Sequence, residues 1–354
     1  MNDLLKADKN NMYEILCNYP NDLKKAREMY KDIQIKNDYK FNNIIICGMG
    51  GSAIAGEFTA SVVNYCMDAC GQTPLVFVNR EYCLPNFANE ESLIILSSYS
   101  GNTEETLFSA RDAISKTKNV ICITTGGELL KFAKEHNLFY VLLPEGFQPR
   151  CALVYALIAL LNIITKLGMV LTNEELQEKL LKIETRANVT LKMYSDLKNQ
   201  NYALQLAKSL QNKIPVFYSE GKFLGALSLR WRQQIHENSK QICFGNVLPE
   251  MNHNEINSWN YPKNLINQTQ IVFFRDDVIE IDRVKLRFNA LTKILTEQGN
   301  SPIEIKSDED SVIARLFDMI YLGDWVSFYL AMLNETDPTD IPFILYLKDY
   351  LGKN

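Results

Sequence analysis

Short apolar runs, each closed by a turn rich in Gly, Ser, Asn or Pro and followed by a segment of helical period, recur through the first half of the chain. They are Asn43–Cys47, Pro74–Asn79, Leu93–Ser97, Asn119–Thr124 and Phe139–Leu143. Runs this short, apolar without alternation and separated by helices, predict parallel strands covered on both faces. A Lys-rich amphipathic segment precedes them. From Thr172 to about Gln211 the pattern is helical and highly charged, as in TNEELQEKLLKIETRANVTLKMYSDL, which predicts a connector helix or a pair of them. The alternation then resumes at Ile214–Ser219, Gln241–Phe244, Gln270–Phe274 and Pro302–Lys306. The expected architecture is therefore α/β, with two αβα sandwich lobes, each a mainly parallel sheet flanked by helices. The boundaries read as 1–170 for the first lobe with its helical opening, 171–211 for the connector and 212–354 for the second lobe with its closing helices. No fixed short period is visible, which excludes a solenoid.

Composition fits such a body. The chain has 354 residues, 47% of them hydrophobic, enough for two domains and a large core. Its 42 acidic and 37 basic residues give a net charge of −5, and no long Lys/Arg cluster offsets it, so nucleic acid is not an expected partner. The eight cysteines form no Cys-x-x-Cys pair or Cys/His grid, and Cys47 and Cys122 sit within apolar strands, so free thiols and a reducing cytoplasm are expected. The opening MNDLLKADKNNMYEIL has neither a basic n-region nor a long apolar h-region. The apolar run Cys151 to Ile164 contains Asn162 and falls short of the ~20 residues of a membrane span, so it reads as a buried helix and no membrane association is expected.

Two turns could carry chemistry. NNIIICGMGGSAIAGEFTASVV is a buried strand running through Gly48, Gly50, Gly51 and Ser52 into a helix, where backbone N–H groups can approach an anion. It resembles a dinucleotide fingerprint with Ala53 at a glycine position, but Asn79 and Arg80 stand where a ribose-binding acid is expected. Nucleotide binding and a purely structural tight turn both fit that string. LIILSSYSGNTEETLFSA is a strand followed by Ser98, Ser100, Asn102 and Thr103, with Glu104 and Glu105 opening a helix. One helix cap needs only one such residue. A cluster of hydroxyls and an amide around a glycine at the end of a buried strand suits the oxygens of a phosphate monoester, because open α/β sheets bind ligands there.

The strings GMGGSAIAG and SSYSGNTEET resemble the sugar isomerase (SIS) domain. With RWRQQIHENSK…VLPEMNHNEINSW and the tail LGDWVSFYLAMLNETDPTDIPFILYLKDYL, the chain is similar to the bifunctional phosphoglucose/phosphomannose isomerases. These blocks follow the expected order over residues 45 to 350. The resemblance implies two SIS-type lobes, a homodimer with sites near the interface, and a metal- and cofactor-independent isomerisation of glucose 6-phosphate and/or mannose 6-phosphate to fructose 6-phosphate through a cis-enediol. A non-catalytic sugar-phosphate sensor and a NAD-dependent dehydrogenase are the alternatives. The sensor has no need of Glu237, His253 and Lys348 together, and the dehydrogenase lacks its ribose acid.

Individual residues follow. Gly51, Ser52, Ser98, Ser100 and Thr103 are expected to bind the phosphate end of the substrate. Glu237 closes the helix LGALSLRWRQQIHE, where the negative end of the dipole strengthens a carboxylate as a base. On residues alone it reads as a surface acid, and the resemblance implies the base between C1 and C2. His253, in the polar loop LPEMNHNEI, is implied in ring opening, as is Lys348 in the last helix, which on residues alone is a surface lysine. Arg150 follows GFQP and begins the apolar helix, a cation against the dipole that is better explained if it faces an anion, and the resemblance implies that it stabilises the enediolate. His236, turned about 100° from Glu237, and His136, at a helix end, read as structural.

Overall fold

A computed structural model describes residues 3–35, 39–70, 74–197, 201–221 and 223–353 of the protein. It divides into two compact units, one of Pro20–Thr185 and Glu309–Ala314, the other of Met1–Tyr19, Arg186–Asp308 and Arg315–Asn354. Helix α1 (Met12–Tyr30) contains Pro20, where the chain passes from one unit to the other.

The first unit runs β1 (Asn43–Cys47), α2 (Gly50–Cys70), β2 (Leu75–Asn79), β3 (Ser92–Ser98), α3 (Glu104–Lys116), β4 (Val120–Thr124), α4 (Gly127–Glu135), β5 (Phe139–Leu142) and α5 (Leu153–Lys166). The five strands are parallel in the order β2-β1-β3-β4-β5. Strands β1, β3 and β4 are apolar because helices cover both faces. On one face Ile45, Ile94, Leu96 and Cys122 pack with Ala110 and Ala113 of α3 and Leu129 and Ala133 of α4. Helix α5, the expected buried helix, is buried from Leu153 to Thr165. Its Asn162 is accommodated by donating to Ile158 O (2.8 Å) and accepting from Gln177 Nε2 (3.1 Å). With this strand order the sheet changes direction between β1 and β3, and the crevice beyond their carboxyl ends is where doubly wound sheets bind ligands. The register sets Cys47 beside Leu96, so the turns after β1 and β3 leave the sheet side by side.

Helices α6 (Asn173–Tyr194) and α7 (Tyr202–Leu210) form the expected helical pair. The second unit then has β6 (Ile214–Glu220), α8 (Gly225–Gln234), β7 (Phe244–Leu248), α9 (Lys263–Ile266), β8 (Thr269–Phe274), α10 (Asp282–Glu297), β9 (Ile303–Ile305), α11 (Val312–Leu333) and α12 (Pro342–Gly352). Its four strands are also parallel, in the order β7-β6-β8-β9. The expected strand Gln241–Phe244 is displaced: β7 begins where that run ends. The cause is a turn of π-helix at Ile235–Ser239 closed by Lys240 in the left-handed conformation (φ 51°), after which the Gln241 side chain is occupied by Leu210 O and Lys213 O, both at 2.8 Å.

Helix α11 is long and apolar enough to cross a membrane by length and composition alone, but 89% of that stretch is buried inside the protein, as in a core helix. The seven cysteines with described side chains are all free, and the Cys70 side chain lies outside the described residues.

Candidate active site

In the first unit, two turns at the carboxyl ends of β1 and β3 build a hydroxyl-lined cradle. After β3, the Ser98 Oγ accepts from the Gly101 N–H (3.1 Å) and lies 2.8 Å from Thr103 Oγ1, one hydroxyl donating to the other. Ser100 is exposed, its Oγ accepting from the Asn102 N–H at 3.2 Å. Thr103 is the N-cap of α3 by position, yet its side chain makes no capping bond. The hydroxyl is held on Ser98 instead, which leaves the first-turn amides of α3 without a side-chain cap, free to meet an anion. Thr106, in that same turn, is buried with no partner for its hydroxyl among the described residues. It belongs to the string SSYSGNTEET, but local spacing gives no reason to single it out.

Asn102 does not join the cluster as the sequence suggested. Its Oδ1 accepts from the Glu128 N–H (3.0 Å) at the start of α4, locking the β3 turn to the β4 turn. Gly101 makes that lock possible. It has φ +69°, and a Cβ there would lie 1.9 Å from Gly126 O.

The β1 turn meets a third segment. A Cβ on Gly51 would lie 2.8 Å from Pro149 O, so only glycine lets the start of α2 close against the turn carrying Arg150. Ser52 is buried beside it in the first turn of α2. Arg150 is buried, its Nη1 donating to Gln148 Oε1 at 3.0 Å. It does not begin the apolar helix, as its sequence position suggested: α5 starts at Leu153, after a turn closed by Cys151 N–H to Gln148 O (2.8 Å). The argument that Arg150 opposes a helix dipole therefore falls, and its burial against the glycine turn takes its place. Asn79, at the expected ribose-acid position, is buried and donates to Glu81 O (3.3 Å) and Cys83 O (3.1 Å), an internal brace for the β2 turn.

Glu237 lies in the second unit, in the π-helical turn that continues α8, half-buried between buried Ile235 and Asn238. Such insertions are frequent at functional sites. This one is fastened to α11: Asn238 Nδ2 donates to Ser327 Oγ (3.0 Å) and Ser239 Oγ to Ser327 O (2.7 Å). One turn earlier, Arg230 and Gln234 both donate to buried Asp324, at 3.0 and 2.6 Å. Lys240 Nζ donates to Glu237 O (2.8 Å), Asn238 O (3.3 Å) and Asp337 O (2.6 Å), placing an ammonium over the last carbonyls. The bare dipole end invoked from the sequence is therefore covered.

His236 is exposed and accounted for locally, its Nε2 lying 3.1 Å from Cys243 O and 3.2 Å from Cys243 Sγ. Burial pushes that thiol up to about 12, so the pair is not a thiolate nucleophile. His136 caps α4 and packs on Phe132, the structural place expected of it.

His253 ends a short 3-10 turn, Glu250–His253, after β7, and its exposed side chain makes no hydrogen bond among the described residues. Nearby Glu255 anchors the loop, accepting from Tyr218 Oη and from Asn246 Nδ2 (2.6 Å). Lys348 is exposed on α12 and has no ion pair among the described residues. Among the described residues, no group of three or more His, Cys, Asp or Glu is arranged to hold a metal ion.

Residues 199–351 match the family model described as the bacterial phospho-glucose isomerase C-terminal SIS domain. The bifunctional phosphoglucose/phosphomannose isomerase of Caldicellulosiruptor bescii is 36% identical over 97% of this chain and 99% of its own length. That of Aquifex aeolicus is 34% identical over 89% and 92%. Among solved structures, the C-terminal domain of glucosamine-fructose-6-phosphate aminotransferase from Francisella tularensis superposes with a TM-score of 0.71 at 15% identity, covering 94% of this chain and 98% of that one, a likeness of fold. On its whole-length similarity to these relatives, the chain belongs to the family of bifunctional phosphoglucose/phosphomannose isomerases.

Proposed function

We propose that this protein is a metal-independent aldose–ketose isomerase that interconverts glucose 6-phosphate and mannose 6-phosphate with fructose 6-phosphate. The observation that carries the proposal is the hydroxyl cradle at the β1/β3 switch point, with uncapped first-turn amides beside it, in a member of this family. A phosphate monoester offers acceptor oxygens to Ser52, Ser98, Ser100, Thr103 and the amides near Gly51. Such remote contacts orient the reacting carbons, and that orientation lowers the barrier.

In the proposed reaction His253 and Lys348 assist ring opening by moving a proton between the ring oxygen and O1. Glu237 then takes the proton from C2 as the C1 carbonyl becomes the C1–C2 double bond. O1 gains a proton, O2 loses one, and Glu237 returns its proton to C1 to give the ketose. The Arg150 guanidinium offsets the negative charge that develops on the enediolate oxygens. No redox cofactor enters, because the oxidation of C2 is matched by the reduction of C1 within the same molecule.

The protein is proposed to be cytoplasmic and homodimeric, with His253 acting near the subunit interface. A coupled assay on both sugar phosphates tests the activity: turnover of at least one is expected, and binding without turnover would leave a sensor instead. Mixing inactive Glu237→Gln and His253→Ala proteins and re-associating them tests the shared site. Recovery of activity is expected, and its absence would refute sharing.

A further inference from the structure

Helix α12 is at odds with the rest of the molecule. Every residue from 342 to 353 is exposed, although the helix reads PFILYLKDYLG. Phe343 is 88% exposed, Tyr346 69% and Leu345 56%, with Leu347, Tyr350, Leu351 and Ile344 also exposed. At 100° per residue, Tyr346, Tyr350, Phe343, Leu347, Leu351 and Ile344 form one continuous apolar face, and Lys348 borders it next to Ile344. The base of the helix is fixed: Asn10 Nδ2 donates to Asp337 Oδ2 (2.9 Å) and Thr339 Oγ1 (2.7 Å), and Lys240 holds Asp337 O. A well-anchored base thus leads into a bare arm. A helix of this length alone in water is marginal, below the ~12–15 residues needed even by good helix formers, so α12 depends on something that covers it.

We infer that α12 is an exchange arm that seats its apolar face on a second copy of this chain, setting Lys348 at the seam between the two. Area supports that occupant. With side chains of this size carrying roughly 150–250 Å² each, the six on this face at their observed exposures offer about 700 Å². Two reciprocal arms in a two-fold pair would bury about 1,400 Å² from the arms alone, within the range of a standard stable interface. The opposite face argues against a lipid surface: an interfacial helix carries a Lys/Arg-rich polar face, whereas Lys348 shares this one with Leu345, Asp349 and Gly352. The inference rests on the two-copy assembly proposed above and specifies what holds it together.

The test combines sedimentation and hydrogen exchange on the full chain. The wild type is expected to be a dimer whose α12 amides lose protection on dilution in step with dissociation. Phe343→Asp/Tyr346→Asp, which alters neither the cradle nor Glu237 nor Lys348, is expected to be a monomer with unchanged far-ultraviolet dichroism outside α12. A variant that remains as dimeric as the wild type would overturn the arm alone, as would α12 amides equally protected in the monomer. A wild type monomeric at every concentration would overturn the two-copy assembly with it. A monomer that binds anionic phospholipid vesicles only with α12 intact would assign the helix to lipid and overturn the inference. An α12-dependent dimer that turns over neither sugar phosphate would uphold the arm and refute the isomerase reading.

Discussion

The Ser98–Thr103 bond is the smallest unit of the proposed phosphate site. The two hydroxyls share one hydrogen bond at 2.8 Å, so each fixes the direction in which the other presents its remaining donor or lone pair. Ser98→Ala and Thr103→Ala should each raise KM for the phosphorylated sugar, by the equivalent of about 1.5–3 kcal/mol for a hydrogen bond to a charged group. The double variant should lose less than the sum, because each single variant already frees the other hydroxyl. Additive losses would show that the pair does not work as a unit. Gly101 imposes a steric condition on the same loop. Gly101→Ala should lower thermal stability and abolish phosphate-dependent binding together, since its Cβ cannot coexist with Gly126 O at 1.9 Å. A well-folded variant with normal KM would contradict this.

At the level of elements, the proposed base is placed by the fit of α8 and its π turn against α11. Asp324 accepts from both Arg230 and Gln234, and its removal takes a carboxylate away from a buried guanidinium. Asp324→Ala should therefore cost about 3–5 kcal/mol in denaturant melts. Burial holds the Asp324 carboxyl above its ordinary 3.8, although Arg230 and Gln234 pull it down. The folded chain then binds this proton more tightly than the unfolded chain does, so the group's contribution to stability falls as pH rises from 3.8 through its folded value. Asp324→Asn cannot titrate and should lose that component of the stability profile. An unchanged slope in the acid range would contradict the assignment.

These elements also show what the sequence discloses. The β1 and β3 turns are legible because their chemistry is local: Ser98 and Thr103 are five residues apart and follow a recognisable strand. The diversion of Asn102 to Glu128, the steric need for Gly101 and the capture of Asp337 by Lys240 depend on partners far along the chain, which spacing cannot reveal. The start of β7 shifts for a related reason, because a π turn breaks the helical period from which strand boundaries are counted.

The whole molecule repeats one topology with unequal ends. In the first unit the switch point between β1 and β3 carries hydroxyls and glycines. In the second, the carboxyl end of β8 is filled by internal ion pairs: Arg275 with Glu280 (2.8 Å) and Glu304 (2.7 Å), and Arg315 with Asp276 (2.6 Å). Guanidinium groups already paired with carboxylates have little to offer a phosphate, which favours the first unit as the proposed phosphate site, and Glu237 is proposed as one base for two sugars. Glucose 6-phosphate and mannose 6-phosphate differ only at C2 and share one planar enediol, and rotation about C2–C3 can turn either face to a single base. The most direct measurement compares Glu237→Gln with the wild type on both substrates and follows solvent exchange of the C2 proton. The account predicts that turnover of each sugar, and exchange with it, falls by about 10²–10⁴-fold with KM little changed. Loss of one sugar with retention of the other would require a second base and contradict it.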